Sequence, residues 1–362
     1  MIKDCLLDYN LSQLADRLAQ YQLKSYQISQ IYQWLIKGVD FLQMTNLPKA
    51  LREQLANDYD SASVRVIKTL TSTDSTTKYL MQLRDDNVIE CVVMKYKYGN
   101  TLCISTQVGC RMGCAFCAST LGGLVRNLSA GEMLGQVVVA NKLHHSAQSR
   151  GITNIVLMGS GEPLDNYDNV LSFLTLVNAQ EGLNISMRNI SLSTCGLVPQ
   201  INKLAECRLG VNLTISLHSA FDDSRRKIMP IANKYSISQI INSAKYYFEC
   251  TGRRVIFEYT LIEGVNDRRE DALQLARLLS GMSAHVNLIR LNQVKERHLT
   301  ATTTDKAKEF LALLEQLHLS ATLRRSMGGD IAGACGQLRY SYINTNADRN
   351  TDNNGDSDNN NS

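Results

Sequence analysis

Between residues 102 and 325 the chain repeats one pattern seven times. Short apolar, β-rich runs lie at Leu102–Thr106, Asn154–Met158, Ile190–Ser193, Leu213–Leu217, Val255–Leu261, Val286–Leu291 and Ala321–Arg325, with helical stretches between them. Such runs suit strands buried on both faces, and the helices supply the crossovers that parallel neighbours need. Ser129-x-x-Glu132 and Asp267-x-x-Glu270 fit the reciprocal cap that opens a helix. The alternation predicts an α/β fold built on a parallel sheet. Barrels of this class place their chemistry at the carboxyl ends of the strands, so residues just after each run are the first candidates.

Two other regions precede this core. From Leu11 to Tyr59 the pattern is amphipathic and helical, with Ile28, Ile31, Tyr32 and Leu35 on one face and Pro48 opening a short helix over Leu51–Tyr59. From Val64 to Tyr98 it alternates as strands do, most clearly over residues 89–94. The organisation expected is a helical accessory domain at 1–60, a strand-rich connecting segment at 61–95, the α/β core at 96–330, a C-terminal segment at 331–343 and a tail at 344–362. Residues 347–362 carry four Asp and one Arg with no large apolar side chain, so that stretch is read as disordered.

Net charge is +4, and without the −3 of that stretch the remainder carries about +7, which favours a polyanionic partner. No apolar run approaches the roughly 20 residues that span a membrane. The N-terminus, Met1-Ile2-Lys3-Asp4-Cys5, lacks the basic and apolar regions of a signal peptide. Ten cysteines in such a chain point to a reducing cytoplasm, where thiols serve metals and catalysis.

Three of those cysteines define the chemistry. Cys110, Cys114 and Cys117 follow the first run with C-x3-C-x2-C spacing. Iron–sulfur clusters normally take four cysteines, so three thiolates leave one iron open, and an open position is what reaction requires. A zinc site would favour a second C-x2-C pair at a distance, and the sequence has none.

The loop resembles the radical S-adenosylmethionine (SAM) superfamily. Five further segments narrow the likeness: Asn154-Ile-Val-Leu-Met-Gly-Ser-Gly-Glu-Pro163, Ser191-Leu-Ser-Thr-Cys-Gly196, Ser216-Leu-His-Ser219, Asn287-Leu-Ile-Arg-Leu-Asn292 and Asp330-Ile-Ala-Gly-Ala-Cys-Gly-Gln-Leu338. With Thr101-Leu-Cys-Ile-Ser-Thr-Gln-Val-Gly-Cys110 they resemble the RNA adenine methyltransferases of the RlmN and Cfr group over roughly residues 25–340. That resemblance implies a partial (β/α)6 barrel. It implies a [4Fe–4S] cluster on Cys110, Cys114 and Cys117, and SAM, two molecules per turnover, held by Gly161, Glu162, Ser193, Ser216, Leu217, His218 and Asn292. A one-electron reductant such as flavodoxin or ferredoxin is implied as well. Ser160 departs from the family's bulkier Met, which loosens packing under the cofactor.

Direct polar methylation of adenine C2 or C8 is disfavoured because these carbons are poor nucleophiles. A cysteine thiolate is a suitable carrier for the methyl carbon. By resemblance Cys335 accepts a methyl group and becomes the radical that joins the adenine, through a transient protein–RNA crosslink. Cys103 then releases it as a transient disulfide, and Glu90 accepts the ring proton. Taken alone, Cys103 and Cys335 read as core cysteines and Glu90 as half of a structural salt bridge. Cys5, Cys91, Cys195, Cys207 and Cys250 are read as structural.

The substrates implied are 23S rRNA, with methylation at C2, and tRNA; the C8 activity of the Cfr branch uses the same cysteines and stays open here. A non-catalytic iron–sulfur RNA-binding or electron-transfer protein would explain the cluster loop but leave Cys103, Glu90 and Cys335 without a role. Basic residues suited to phosphate occur at Lys95-Tyr96-Lys97-Tyr98, Arg225-Arg226-Lys227, Arg253-Arg254 and Arg324-Arg325. The first and last of these lie near assigned catalytic positions.

Overall fold

The computed structural model describes residues 3–146, 149–339 and 341–342; the tail expected at 344–362 lies outside them. Three helices lead the chain: α1 (Leu11–Arg17), α2 (Ser25–Ile36) and α3 (Lys49–Asp58). They pack through Leu14, Ile31, Tyr32, Leu35, Leu51 and Leu55, all buried, so the expected α2 face is the one covered. A two-residue parallel pairing of Asp4–Cys5 with Tyr59–Asp60 closes this unit.

The main path of the eleven-stranded sheet has ten strands: β1 (Val64–Thr71), β2 (Thr77–Leu83), β3 (Asn87–Tyr96), β4 (Gly99–Cys103), β5 (Ile152–Leu157), β6 (Ile190–Thr194), β7 (Asn212–Ser216), β8 (Val255–Leu261), β9 (Ala284–Arg290) and β10 (Ala321–Leu323); Ser341–Tyr342 pairs antiparallel with β3 off this path. Their spatial order is sequential, from β1 at one edge to β10 at the other. Pairings from β4 to β10 are parallel and those from β1 to β4 antiparallel. Six crossovers carry α4 (Ala130–His144), α5 (Tyr167–Asn178), α6 (Val198–Glu206), α7 (Asp222–Ile228) with α8 (Ile237–Thr251), α9 (Arg269–Leu279) and α10 (Thr304–Gln316). The sheet does not close on itself, so the form is the partial (β/α)6 barrel expected, widened by an antiparallel wing. Residues 64–96 are therefore part of this sheet and more than a connector.

The parallel strands are apolar on both faces because helices cover one side and the barrel interior the other. Ile155, Ile190, Leu192, Leu213, Ile215, Phe257, Val286 and Leu288 have no accessible surface. At α4 the cap matches expectation, with Ser129 and Glu132 capping one another's amides. At α9 it does not. The N-cap is Arg268 with Asp271, and Asp267 instead accepts from Gly264 N and meets Lys306 Nζ at 2.8 Å.

Candidate active site

The loop after β4 carries the three clustered cysteines. Its ends are held by antiparallel pairing of Gln107–Gly109 with Leu124–Asn127, and Cys110 N donates to Gly123 O at 2.8 Å. Ala115 N donates to Ile228 O at 2.9 Å, tying the loop to the end of α7. All three cysteines line a cavity at the carboxyl ends of the strands that opens to solvent. Burial pushes the Cys110 thiol up to about 12 and raises Cys114 and Cys117 as well. Thiolates at such places need a cation, and metal coordination deprotonates a thiol outright.

Arg297 donates to Thr120 Oγ1 at 2.7 Å and lies beside Cys117, while Arg225 is a second cation near Cys114. Among the described residues no three His, Cys, Asp or Glu side chains converge as ligands of a single ion. Thiols around a cluster bind one iron each and need not converge. The donor set and its cationic surroundings fit a [4Fe–4S] cluster.

Facing these thiols are the ends of β5 to β9. Gly161, Glu162, Ser193, Ser216, His218 and Asn292 all border the cavity. Glu162 is buried, accepting from Cys195 N at 2.7 Å and Leu164 N at 3.0 Å, and Gln107 Oε1 accepts its own N–H at 2.8 Å. Burial pushes its carboxyl up while those amides pull it back. His218 Nδ1 accepts from Thr260 N at 2.9 Å, which leaves the proton on Nε2, and burial drives the imidazole down to about 3. Phe116 packs edge-on against His218 with centroids 4.8 Å apart. It does so on the cavity wall.

Leu217 differs from its neighbours. Its side chain is in the core, its N–H donates to Glu258 O and its carbonyl accepts from Arg225 Nε, so it offers nothing to the cavity. Ser160 is fully buried, and its hydroxyl has no partner.

A second cavity of about 1000 Å³ adjoins the first. Val92, Met94, Val156, Met158 and Cys103 give it an apolar wall, with Tyr96, Arg290, Arg324 and Arg325 around them. Cys103 sits between Val92 on β3 and Val156 on β5, and burial pushes its thiol up to about 12. Cys335 borders both cavities, and so do Met158, Ile289, Asn292 and Arg324. Its carbonyl accepts from Asn292 Nδ2 at 3.0 Å. Cys335 keeps accessible surface because it faces this space, yet the protein around it raises its thiol, with Arg324 pulling the other way.

Glu90 borders neither cavity. Its carboxylate pairs with Lys78 Nζ at 3.1 Å, the side chains of Lys78 and Glu90 both being buried, and accepts from Arg339 N at 3.0 Å. Cys91, on the opposite strand face, is in the main core.

Sequence reasoning missed several residues. Arg225, expected on a solvated basic surface, is fully buried and donates to the carbonyls of Leu217, Cys195 and Ser216. It staples the ends of β6 and β7 beneath the cavity. Cys195, read as structural, borders the cavity beside Glu162. Glu258 on β8 pairs with Arg324 at 3.2 Å, with its second oxygen buried and unpartnered at the cavity wall. An acidic residue inside an apolar strand was the one available signal for Glu258; none marks Arg225.

Comparison with known proteins agrees with this geometry. Residues 104–276 match the Radical SAM superfamily model, and residues 5–60 match the ribosomal RNA large subunit methyltransferase N-terminal domain. A probable dual-specificity RNA methyltransferase RlmN of Clostridium perfringens strain SM101 is 52% identical over 341 residues, covering 93% of this chain and 97% of that protein. Its namesake from Clostridium acetobutylicum is 50% identical over 340 residues, covering 93% and 97%. The crystal structure of a radical SAM methyltransferase from Sphaerobacter thermophilus superposes with a TM-score of 0.90 at 41% identity, covering 93% of this chain and 99% of that one. Three thiols on one loop, a cavity bordered by the strand ends across from them and this likeness over nearly the whole length lead to one conclusion: the chain belongs to the RlmN family of radical SAM RNA methyltransferases.

Proposed function

We propose that the protein methylates C2 of adenine in 23S rRNA and in tRNA, with Cys335 as the carrier of the methyl carbon. The observation that carries this reading is the place of Cys335 on the wall shared by two cavities. One cavity holds the cluster-binding cysteines and the SAM-facing residues, and the other holds Cys103. The relatives' name, dual-specificity RNA methyltransferase, supports two RNA substrates.

When bound, the cluster and SAM supply a methyl group and a 5′-deoxyadenosyl radical. Gly161 and Glu162, with Ser193, Ser216, His218 and Asn292, orient the cofactor opposite Cys110, Cys114 and Cys117. Of the seven contacts expected, Leu217 supports its neighbours through the backbone instead.

Cys335 takes the methyl on its sulfur from one side of the wall, gives up one hydrogen atom of that methyl to the 5′-deoxyadenosyl radical, and presents the carbon to the adenine on the other. The apolar second cavity receives the flipped base and keeps water from it. Arg325 and the Tyr96–Tyr98 pair at its margin suit phosphate and base contacts; the rings are parallel within 7° and 4.9 Å apart, with Tyr98 70% exposed. Glu90 takes the ring proton once the segment bound to its carboxylate parts from it. Cys103 attacks the Cys335 sulfur as the sulfur–carbon bond breaks; the carbon takes a proton to become the product methyl group, the one electron left from the radical addition passes to the one-electron carrier, and a two-electron reductant restores the protein disulfide.

The test is mass spectrometry of nucleosides from unmodified 23S rRNA and tRNA, incubated without oxygen with reconstituted protein, SAM and reductant. 2-Methyladenosine is expected in both digests. 8-Methyladenosine, or no methylated adenosine while SAM is cleaved, overturns the reading.

A further inference from the structure

Residues 328–339 form a strap across the carboxyl end of the barrel, and its attachments are unequal. At its start, Gly328 N donates to Asp74 Oδ2 at 2.9 Å, and Asp330 accepts from Ser72 Oγ at 2.5 Å and Thr73 N at 3.2 Å. Along it, Gly336 O accepts from Ala118 N at 2.7 Å, Leu338 O from Ser119 Oγ at 2.6 Å and Cys335 O from Asn292. These anchors come from loops and short polar side chains. Arg339 also pairs with Glu296 at 2.9 Å on the exposed side; one buried anchor is of another kind.

Lys78 on β2, opposite Val92, and Glu90 on β3, opposite Leu80, are diagonal neighbours across the antiparallel wing and form a buried ion pair. Each holds the strap with its remaining capacity. Lys78 Nζ donates to Ala332 O at 3.2 Å, and Glu90 Oε2 accepts from Arg339 N at 3.0 Å. The two held residues lie on either side of Cys335, three before it and four after it.

A buried ion pair is costly to desolvate and seldom explained by stability alone. What this one has beyond a hydrophobic pair is directional bonding at two fixed points. Those points set the span within which Cys335 hangs between the cavities. We infer that Lys78 is a positioning residue for the methyl carrier: with Glu90 it forms a clasp that sets the Cys335 loop in register with both cavities. The pairing gives Glu90 two tasks, holding the strap and receiving the proton, and links strap movement to the availability of its carboxylate. Lys78 touches no substrate or cofactor cavity and acts through the strap.

The catalytic readout rests on the reading of Cys335 given above, whereas strap motion is measured without it. Hydrogen–deuterium exchange is followed in the reconstituted holoprotein for peptides spanning 328–339 and, as controls, β7 and β8. Iodoacetamide labelling of Cys335 is timed in parallel. In K78M the strap should exchange, and Cys335 label, at least tenfold faster, with control peptides, cluster absorbance and SAM affinity unchanged. Turnover should fall through kcat at unchanged KM for RNA, and K78R should recover part of it.

The double variant K78M/E90M removes both charges and keeps the volume, so it stays folded where K78M alone does not. The clasp predicts a loose strap there too. If the strap in a folded K78M or K78M/E90M exchanges as slowly as in the wild type, the inference is wrong. If the wild type makes no methyladenosine, the functional reading fails while the exchange result still decides the clasp.

Discussion

Gly161→Ala asks whether the turn after β5 is what sets the Glu162 carboxylate in the SAM cavity. Gly161 has φ +110°, a region essentially reserved for glycine, where a side chain costs about 1–3 kcal/mol. A Cβ there would lie 2.6 Å from Gln107 Cβ, 2.7 Å from Gln107 N and 2.8 Å from Thr106 Oγ1. The Gln107 atoms cannot retreat, although the unpartnered Thr106 hydroxyl can turn aside. Thr106 N and Gln107 N both donate to Ser160 O, at 2.8 and 3.1 Å, and the Gln107 amide is fixed by Glu162 N, Asn127 and Asp165. Overpacking of this sort adds about 1–3 kcal/mol. The sum is about 2–6 kcal/mol, and the turn relieves it by swinging away from Gln107, which carries Glu162 with it.

Gly210 provides the control, since it has φ +72° and nothing within 4 Å of a would-be Cβ. Its alanine variant meets only the left-handed penalty, about 1–2 kcal/mol. Urea unfolding of the apoproteins and equilibrium dialysis of SAM with the reconstituted proteins compare the two. Gly161→Ala should lose about 4 kcal/mol and bind SAM at least about tenfold more weakly, a further 1.4 kcal/mol. Gly210→Ala should lose far less and bind SAM as the wild type does. Equal losses in the two variants, with unchanged SAM binding in both, would refute the reasoning.

Cys103→Ala should halt turnover after the carbon–carbon bond forms, leaving an RNA fragment on the Cys335 peptide after nuclease digestion. Cys335→Ala should give no adduct and no methyladenosine, and an adduct in that variant would move the carrier role elsewhere. Tyr98→Ala should weaken RNA binding about tenfold, as loss of one stacked base implies, with Tyr98→Phe unaffected; equal affinities by filter binding would remove the ring from the interface. His218 has its folded pKa lowered to about 3, so its stabilisation is fully present above the unfolded value near 6.5 and is lost as pH falls towards 3. The slope is about 1.4 kcal/mol per pH unit within that window. Urea unfolding of the apoprotein between pH 7 and 5 should show it, and His218→Gln, which can still accept from Thr260 N, should flatten it. An identical slope in the variant would assign the titration to another group.

The sequence made the parallel core legible because strands buried on both faces leave short apolar runs that recur between helical stretches. Ends were less certain. β4 is Gly99–Cys103 where the apolar signal lies over Leu102–Thr106, because its start is set by hairpin pairing of Gly99 with Tyr96. The cap of α9 was misplaced for a similar reason. Asp267 and Asp271 are both plausible caps locally, and only the distant Lys306 and Thr302 decide which of them is engaged elsewhere.

At the site, most motif residues could be read because they stand at or just after the end of a strand. What could not be read is direction and depth. In the stretch 216–218, Ser216 and His218 face the cavity and Leu217 faces the core, an alternation that resemblance to a motif passes over. Arg225 stands in a run of three basic residues that suggests a phosphate surface, yet it is drawn inward by three carbonyls at the ends of β6 and β7. Those carbonyls lie at strand ends, where cross-strand pairing stops, although the amides of Leu217 and Cys195 there are engaged by Glu258 O and Glu162. A sheet that opens into a cavity leaves such groups behind, and a buried guanidinium is one of the few side chains that can satisfy several at once. The same logic makes Lys78 and Glu90 intelligible only in three dimensions. Each is an ordinary exposed-face residue by local pattern, and each is buried because the strap, more than 240 residues away in sequence, lies over them and needs their two charges to stay in place.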